Sequence, residues 1–183
     1  MYFSETVEVP VYVIINPAIG EAVEQCFISE LTTAYEIIDQ LMETSPEVYC
    51  LKQQLRQKIT PCRRSLCQDD LTEMFVAALD KRGILPRLVR IFAHIVAYNT
   101  VRYIGFRSAR TTNSIVVYYS FKTVKALYEL SQMIVSGFMD SVFAAAVESL
   151  VHRPTTVDVY MRADDFNFAL SCLSSSQGTG KSG

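Results

Sequence analysis

The stretch PRLVRIFAHIVAYNTVRYI, residues 86–104, restricts what this chain can fold into more than any other segment. Wound as a helix, it places Leu88, Val89, Ile91, Phe92, Ile95, Val96 and Val101 over most of the circumference. Only Arg87, Arg90 and His94 are left as a polar stripe. A helix apolar on so many sides has to be surrounded by others. The spacing therefore predicts a buried rod from Pro86 to Gly105 at the centre of the fold.

The segments around it read mostly as helices. After Asn16 and Pro17, an N-cap and first-turn pair, apolar residues recur at helical spacing through Ala22/Val23, Cys26/Phe27, Leu31/Ala34, Ile37/Ile38 and Leu41/Met42. This predicts one long helix ending near Thr44, with Gly20 as its weak point. Ser45-Pro46 restarts a helix striped by Val48, Leu51, Leu55 and Ile59 and stopped by Pro61. Asp70 and Glu73 form a capping box for a helix with Leu71, Met74, Phe75, Ala78 and Leu79 inside, closed by Lys81, Arg82 and Gly83. Beyond the basic loop FRSARTT, a further long helix is expected over about 113–136, although its β-branched start, Ile115 to Tyr119, also fits a strand. Gly137 separates it from a helix over Phe138 to Val151, and Asp164 caps a last helix through Phe168 and Leu173.

Strand signals are few. Val7, Val9, Val11, Val13 and Ile15 alternate onto one face, with Pro10 pushing that strand toward an edge, and Val157, Val159 and Met161 alternate briefly. Whether these two segments pair is left open by the sequence. The expected architecture is mainly all-α: a helical bundle around a buried hydrophobic hairpin, with a short N-terminal strand. One domain is expected over residues 1–173, followed by a flexible Gly/Ser-rich tail over 174–183.

Bulk properties exclude several classes. At 183 residues, half of them hydrophobic, the chain buries a large core without metals or disulfides. Seventeen basic against nineteen acidic residues argue against nucleic acid as the main partner. The five cysteines, Cys26, Cys50, Cys62, Cys67 and Cys172, are odd in number and scattered, which points to a reducing compartment. The first twenty residues lack a basic leader region, and charges interrupt every long apolar run. Neither a secretory signal nor a membrane anchor is expected.

Catalytic chemistry has little to stand on. Two histidines, His94 and His152, and no nucleophile elbow give no triad, and Cys62 and Cys67 lack the spacing of a zinc knuckle. The terminal GTGKS has neither the first glycine of a phosphate loop nor a helix after its lysine. Arg102, Arg107 and Arg110 beside Tyr103 and Phe106 read as a solvated loop or as an anion contact. No metal and no cofactor are expected. An enzyme would need a site assembled from His94, Asp69, Asp70 and the arginines.

The segment from Leu71 to Ile104 resembles the centre of the Bcl-2 family, particularly its divergent viral members. In that family an amphipathic helix ends at a glycine, and a turn leads to an arginine that opens the buried central helix. Here Arg87 takes the arginine's place, Leu85 the family's tryptophan and Pro86 its glycine. The chain has no tryptophan at all, and Leu51 to Ile59 lacks the family's glycine-aspartate pair. The resemblance implies a non-enzymatic protein that takes an amphipathic helix of a pro-death protein into a surface groove and inhibits apoptosis. Arg87 would pair with the ligand's aspartate, and Phe75, Leu79, Leu88 and Val89 would line the groove. It implies a place in the cytoplasm, of a host cell for a viral protein, or at the mitochondrial surface. A helical adaptor or self-associating scaffold with another protein target, including a homodimer, is the alternative.

Overall fold

A computed structural model describes residues 6–56, 74–75, 77–78, 105–110 and 115–179. In chain order its elements are β1 (Val7–Asn16), α1 (Glu21–Thr44), α2 (Pro46–Arg56), β2 (Gly105–Arg110), β3 (Ile115–Phe121), α3 (Val124–Val135), α4 (Phe138–Val151), β4 (Thr156–Tyr160) and α5 (Ala163–Thr179). Four strands form one sheet in the order β2-β3-β1-β4, with every neighbouring pair antiparallel. The hairpin β2–β3 lies on one side of β1, and α3 and α4 carry the chain across to β4 on the other. Two strand-helix-strand units are thus interleaved, the arrangement of a split β-α-β motif.

The all-α expectation is therefore wrong: the protein is a mixed helix-and-sheet domain. The decisive segment is 115–121, expected as the start of a long helix with a strand over Ile115 to Tyr119 as the alternative; it is the strand that forms. Ile115, Val116, Val117, Tyr119 and Phe121 are all buried, so the strand is apolar on both faces and its sequence has no two-residue alternation to betray it. The β-branched run IVVYYSF takes the extended state that its stiff side chains favour. Thr123 then caps α3, its Oγ1 accepting from the Ala126 N–H at 3.2 Å. The stretch read as a basic loop supplies β2, whose first residue, Gly105, is where the central rod was expected to end. The rod itself, 86–104, lies outside the described residues.

Other boundaries shift for local reasons. The long N-terminal helix begins at Glu21 and not Pro17, because β1 continues to Asn16 and Gly20 precedes the helix at φ 87, ψ 156, backbone open in practice only to glycine. Pro10 sits in a central strand and not at an edge, paired with Tyr118. β4 reaches only Tyr12–Asn16, so the stretch holding Pro10 has a ladder on one side alone, and a prolyl nitrogen on the open side interrupts no ladder bond. Gly137 turns the chain between α3 and α4 in the left-handed region, φ 78, and the two helices bend by 64° there. α4 and β4 fall where the spacing placed them, and α5 runs beyond Leu173 to Thr179.

The core lies between one sheet face and the helices. Val9, Val11 and Val13 of β1 meet Tyr119, Val117 and Ile115 across the ladder, and Val157 and Val159 extend this face onto β4. Against it pack Phe27, Leu31, Ala34 and Tyr35 of α1, Leu127, Leu130 and Met133 of α3, and Phe138, Val142, Phe143, Ala146 and Val147 of α4. A buried polar pair crosses this layer, the Tyr35 and Tyr119 hydroxyls at 2.6 Å. Burial pushes the Tyr119 phenol far up from its ordinary value, so it stays neutral.

α4 also covers the outer edge of β4. The Val159 N–H donates to Asp140 Oδ1 at 2.8 Å, and the Thr155 N–H donates to Glu148 Oε1 at 3.4 Å. The helical rise from Asp140 to Glu148, about 12 Å, matches the strand rise from Thr155 to Val159, about 13 Å. The two run in opposite directions, so both carboxylates reach edge N–H groups that face away from β1. An edge left bare would invite pairing with another chain.

That contact gives a pH prediction. Desolvation raises the Asp140 carboxyl above its ordinary value, Asp158 adds to the rise, and the Val159 N–H works against it. A carboxyl raised on folding favours the protonated native state. Its contribution to stability is complete below the unfolded value and is lost as pH rises through the folded one. Asp140→Asn keeps the acceptor for Val159 and removes the titration. Urea unfolding across the carboxylate range, about pH 3.5 to 6.5, should show the variant gaining on the native protein as pH rises. A gain in the opposite direction would contradict the burial of that carboxyl.

Candidate functional site

Alternation that sends the valines inward sends Glu8, Pro10, Tyr12 and Ile14 to the second face of β1, and it sends Asp158 and Tyr160 to the second face of β4. Register brings these residues together. Tyr12 pairs with Tyr160 on one side and with Val116 on the other, while Pro10 pairs with Tyr118, which in turn pairs with Arg107 of β2. Two tyrosines from segments remote in sequence thus stand side by side.

Their rings stack at 5.2 Å between centroids with 16° between planes, and the Arg162 guanidinium lies over the Tyr12 ring at 4.6 Å. Tyr160 is 38% exposed, and Arg162 is exposed as well. The position of Arg162 follows from chain geometry: β4 ends at Tyr160, and the Arg162 carbonyl accepts the Phe166 N–H at 3.0 Å, which fixes its backbone at the start of α5. Val116, at the middle of this second face, is 2% exposed and stands outside the core cluster built on the first. The second face is therefore buried at its centre, and a ring and a cation, Tyr160 and Arg162, reach solvent at its β4 side.

This face differs from the exposed apolar residues of α3 and α5. Tyr128, 47% exposed, meets Phe166 edge-on at 5.6 Å, and Phe168 and Val135 stand 70% and 83% exposed on α5 and α3. Neither the α3 residues nor the α5 residues combine a ring stack with a fixed charge.

The residues expected to bind a partner fare differently. Phe75 is fully buried within the core cluster, so in this conformation it offers no surface to a ligand. Leu79, Arg87, Leu88 and Val89 lie outside the described residues, as do His94, Cys62, Cys67 and the Asp69-Asp70 pair. Of the arginines thought to cluster, Arg102 lies outside the described residues, and in the ladder Arg107 pairs with Tyr118 and Arg110 with Ile115. Among the described residues no group of three His, Cys, Asp or Glu side chains is placed to hold a metal ion, and no single helix is long and apolar enough to cross a membrane.

Sequence reasoning missed Tyr12, Tyr160 and Arg162. The alternation that marked both strands already assigned the two tyrosines to the faces opposite the valines. What it lacked was the pairing of β1 with β4. No protein-family model, curated protein or solved structure matches the chain.

Proposed function

We propose that this protein is a non-catalytic interaction module that engages a protein partner on the second face of its sheet, around Tyr12, Tyr160 and Arg162. The observation that carries this reading is the Tyr12–Tyr160 stack with the Arg162 guanidinium laid over it, in which Tyr160 and Arg162 are exposed and Tyr12 is half-buried. Tyrosine and arginine dominate the energetics of protein interfaces: tyrosine buries a large flat ring, orders only two torsions and keeps a polar tip, and arginine adds a planar charged fork. A single nucleic-acid strand would also stack on tyrosines, but it needs a basic track along them. Glu8 and Asp158 share this face, and the chain carries a net charge of -2.

The pro-death helix suggested by the central segment does not carry the proposal. Its groove would rest on residues 86–104, and the second rod that would complete the inner hairpin is divided between β3 and α3. The part of that expectation kept here is the coarser one, a binding protein and not an enzyme.

A photo-crosslinking amino acid at Tyr160 tests the reading in cells, with the same group at exposed Gln132 of α3 as the control. The expected result is a protein adduct formed from position 160 and absent from position 132. No adduct specific to position 160, or an adduct with nucleic acid, overturns it.

A further inference from the structure

We infer that the partner presents one carboxylate to Arg162, flanked by neutral flat or aliphatic side chains and not set in an acidic run. The inference rests on the proposed docking face and specifies the chemistry of what docks there. Arg162 is exposed, and its guanidinium is held 4.6 Å from the Tyr12 ring centroid. Asp158, Asp164 and Asp165 are close to it in sequence, yet among the described residues no acid forms an ion pair with it. The cation is therefore aimed and unneutralised within the described part of the chain.

A guanidinium resting on a ring has already lost much of its torsional freedom, so less is lost when it pairs. Its planar fork suits a carboxylate in two parallel hydrogen bonds. The surroundings then narrow the ligand. Asp158 stands across from Ile14 on the same face, and Asp164 and Asp165 follow Arg162 after Ala163, so a run of acids would meet like charge beside the guanidinium. Next to these acids the surface is exposed Tyr160 with half-buried Tyr12 and Pro10, which favours apolar or aromatic neighbours around the single acid. Charge and shape agree on one acidic anchor set in an apolar segment.

Selection of short random peptides displayed on phage against the full chain tests this, in parallel with selection against Arg162→Glu. Peptides enriched by the native protein should carry one Asp or Glu next to aromatic or aliphatic residues. As synthetic peptides they should bind Arg162→Glu at least about tenfold more weakly. Arg162→Lys keeps the charge and loses the fork, so it should fall between the two. Circular dichroism and a cooperative unfolding transition establish that each variant is folded. Failure to enrich any peptide, enrichment of acidic runs, enrichment without carboxylates, or binding undiminished by Arg162→Glu each overturns the inference. The docking face stands or falls separately: a position-160 adduct that survives Arg162→Glu keeps the face and removes the acid.

Discussion

Phe143→Ala is expected to lower the unfolding free energy by about 3–5 kcal/mol, the usual cost of emptying a fully buried aromatic site. Phe143 of α4 and Phe27 of α1 are both wholly inaccessible, and their rings meet edge-on at 5.6 Å and 87°. The contact ties the first long helix to the helix that guards the β4 edge. Losing it loosens two elements at once, and neighbouring Phe138, Val142 and Val147 are themselves fixed by the sheet beneath them. The cavity therefore closes poorly. For a chain of this length the loss corresponds to a fall in melting temperature of roughly 10 °C. A double-mutant cycle with Phe27→Ala should return a coupling of about 0.5–1.5 kcal/mol beyond the separate losses. A loss under about 1 kcal/mol for Phe143→Ala would mean that α1 and α4 do not pack through these rings.

Much of this fold could be read from local pattern, and the part that could not has a physical reason. The valines of β1 alternate because one face is core and the other is not, so their face was evident before any partner strand was known. Gly137 marked the break between α3 and α4 because a left-handed turn needs it. β3 gave the opposite experience. Val116 is buried on one face and Val117 on the other, so its sequence shows only a continuous apolar run, which a helix interior produces equally well. Reading that run as helix, with a strand only as the alternative, set aside the sheet's central partner and left the pairing of β1 with β4 undecided. The docking face was lost by the same step. Tyr12 and Tyr160 become neighbours only through the register of β1 on β4, and no local pattern encodes a pairing between segments so far apart. Arg162 escaped notice because its role comes from the ring beneath it and not from any motif.

That misreading supplies the sharpest test of the architecture. In a helix over 113–136, residues 117 and 120 would lie on one face, three apart, and a lysine at either would meet the same surroundings. In β3 they point to opposite sides. Val117 faces the core with no accessible surface, beside Val11, whereas Ser120 is on the second face, across from Glu8. Val117→Lys would bury an ammonium with no carboxylate in the valine layer, at a cost of several kcal/mol, comparable with the whole stability of a domain. It should leave little soluble protein and no cooperative unfolding transition. Ser120→Lys places the same side chain at a half-buried position on the second face, away from the valine layer, so the change should cost no more than about 0.5 kcal/mol and the urea midpoint should stay close to that of the native protein. Equal damage from the two substitutions would return 115–121 to a helix and dissolve the sheet on which both the core and the tyrosine face depend.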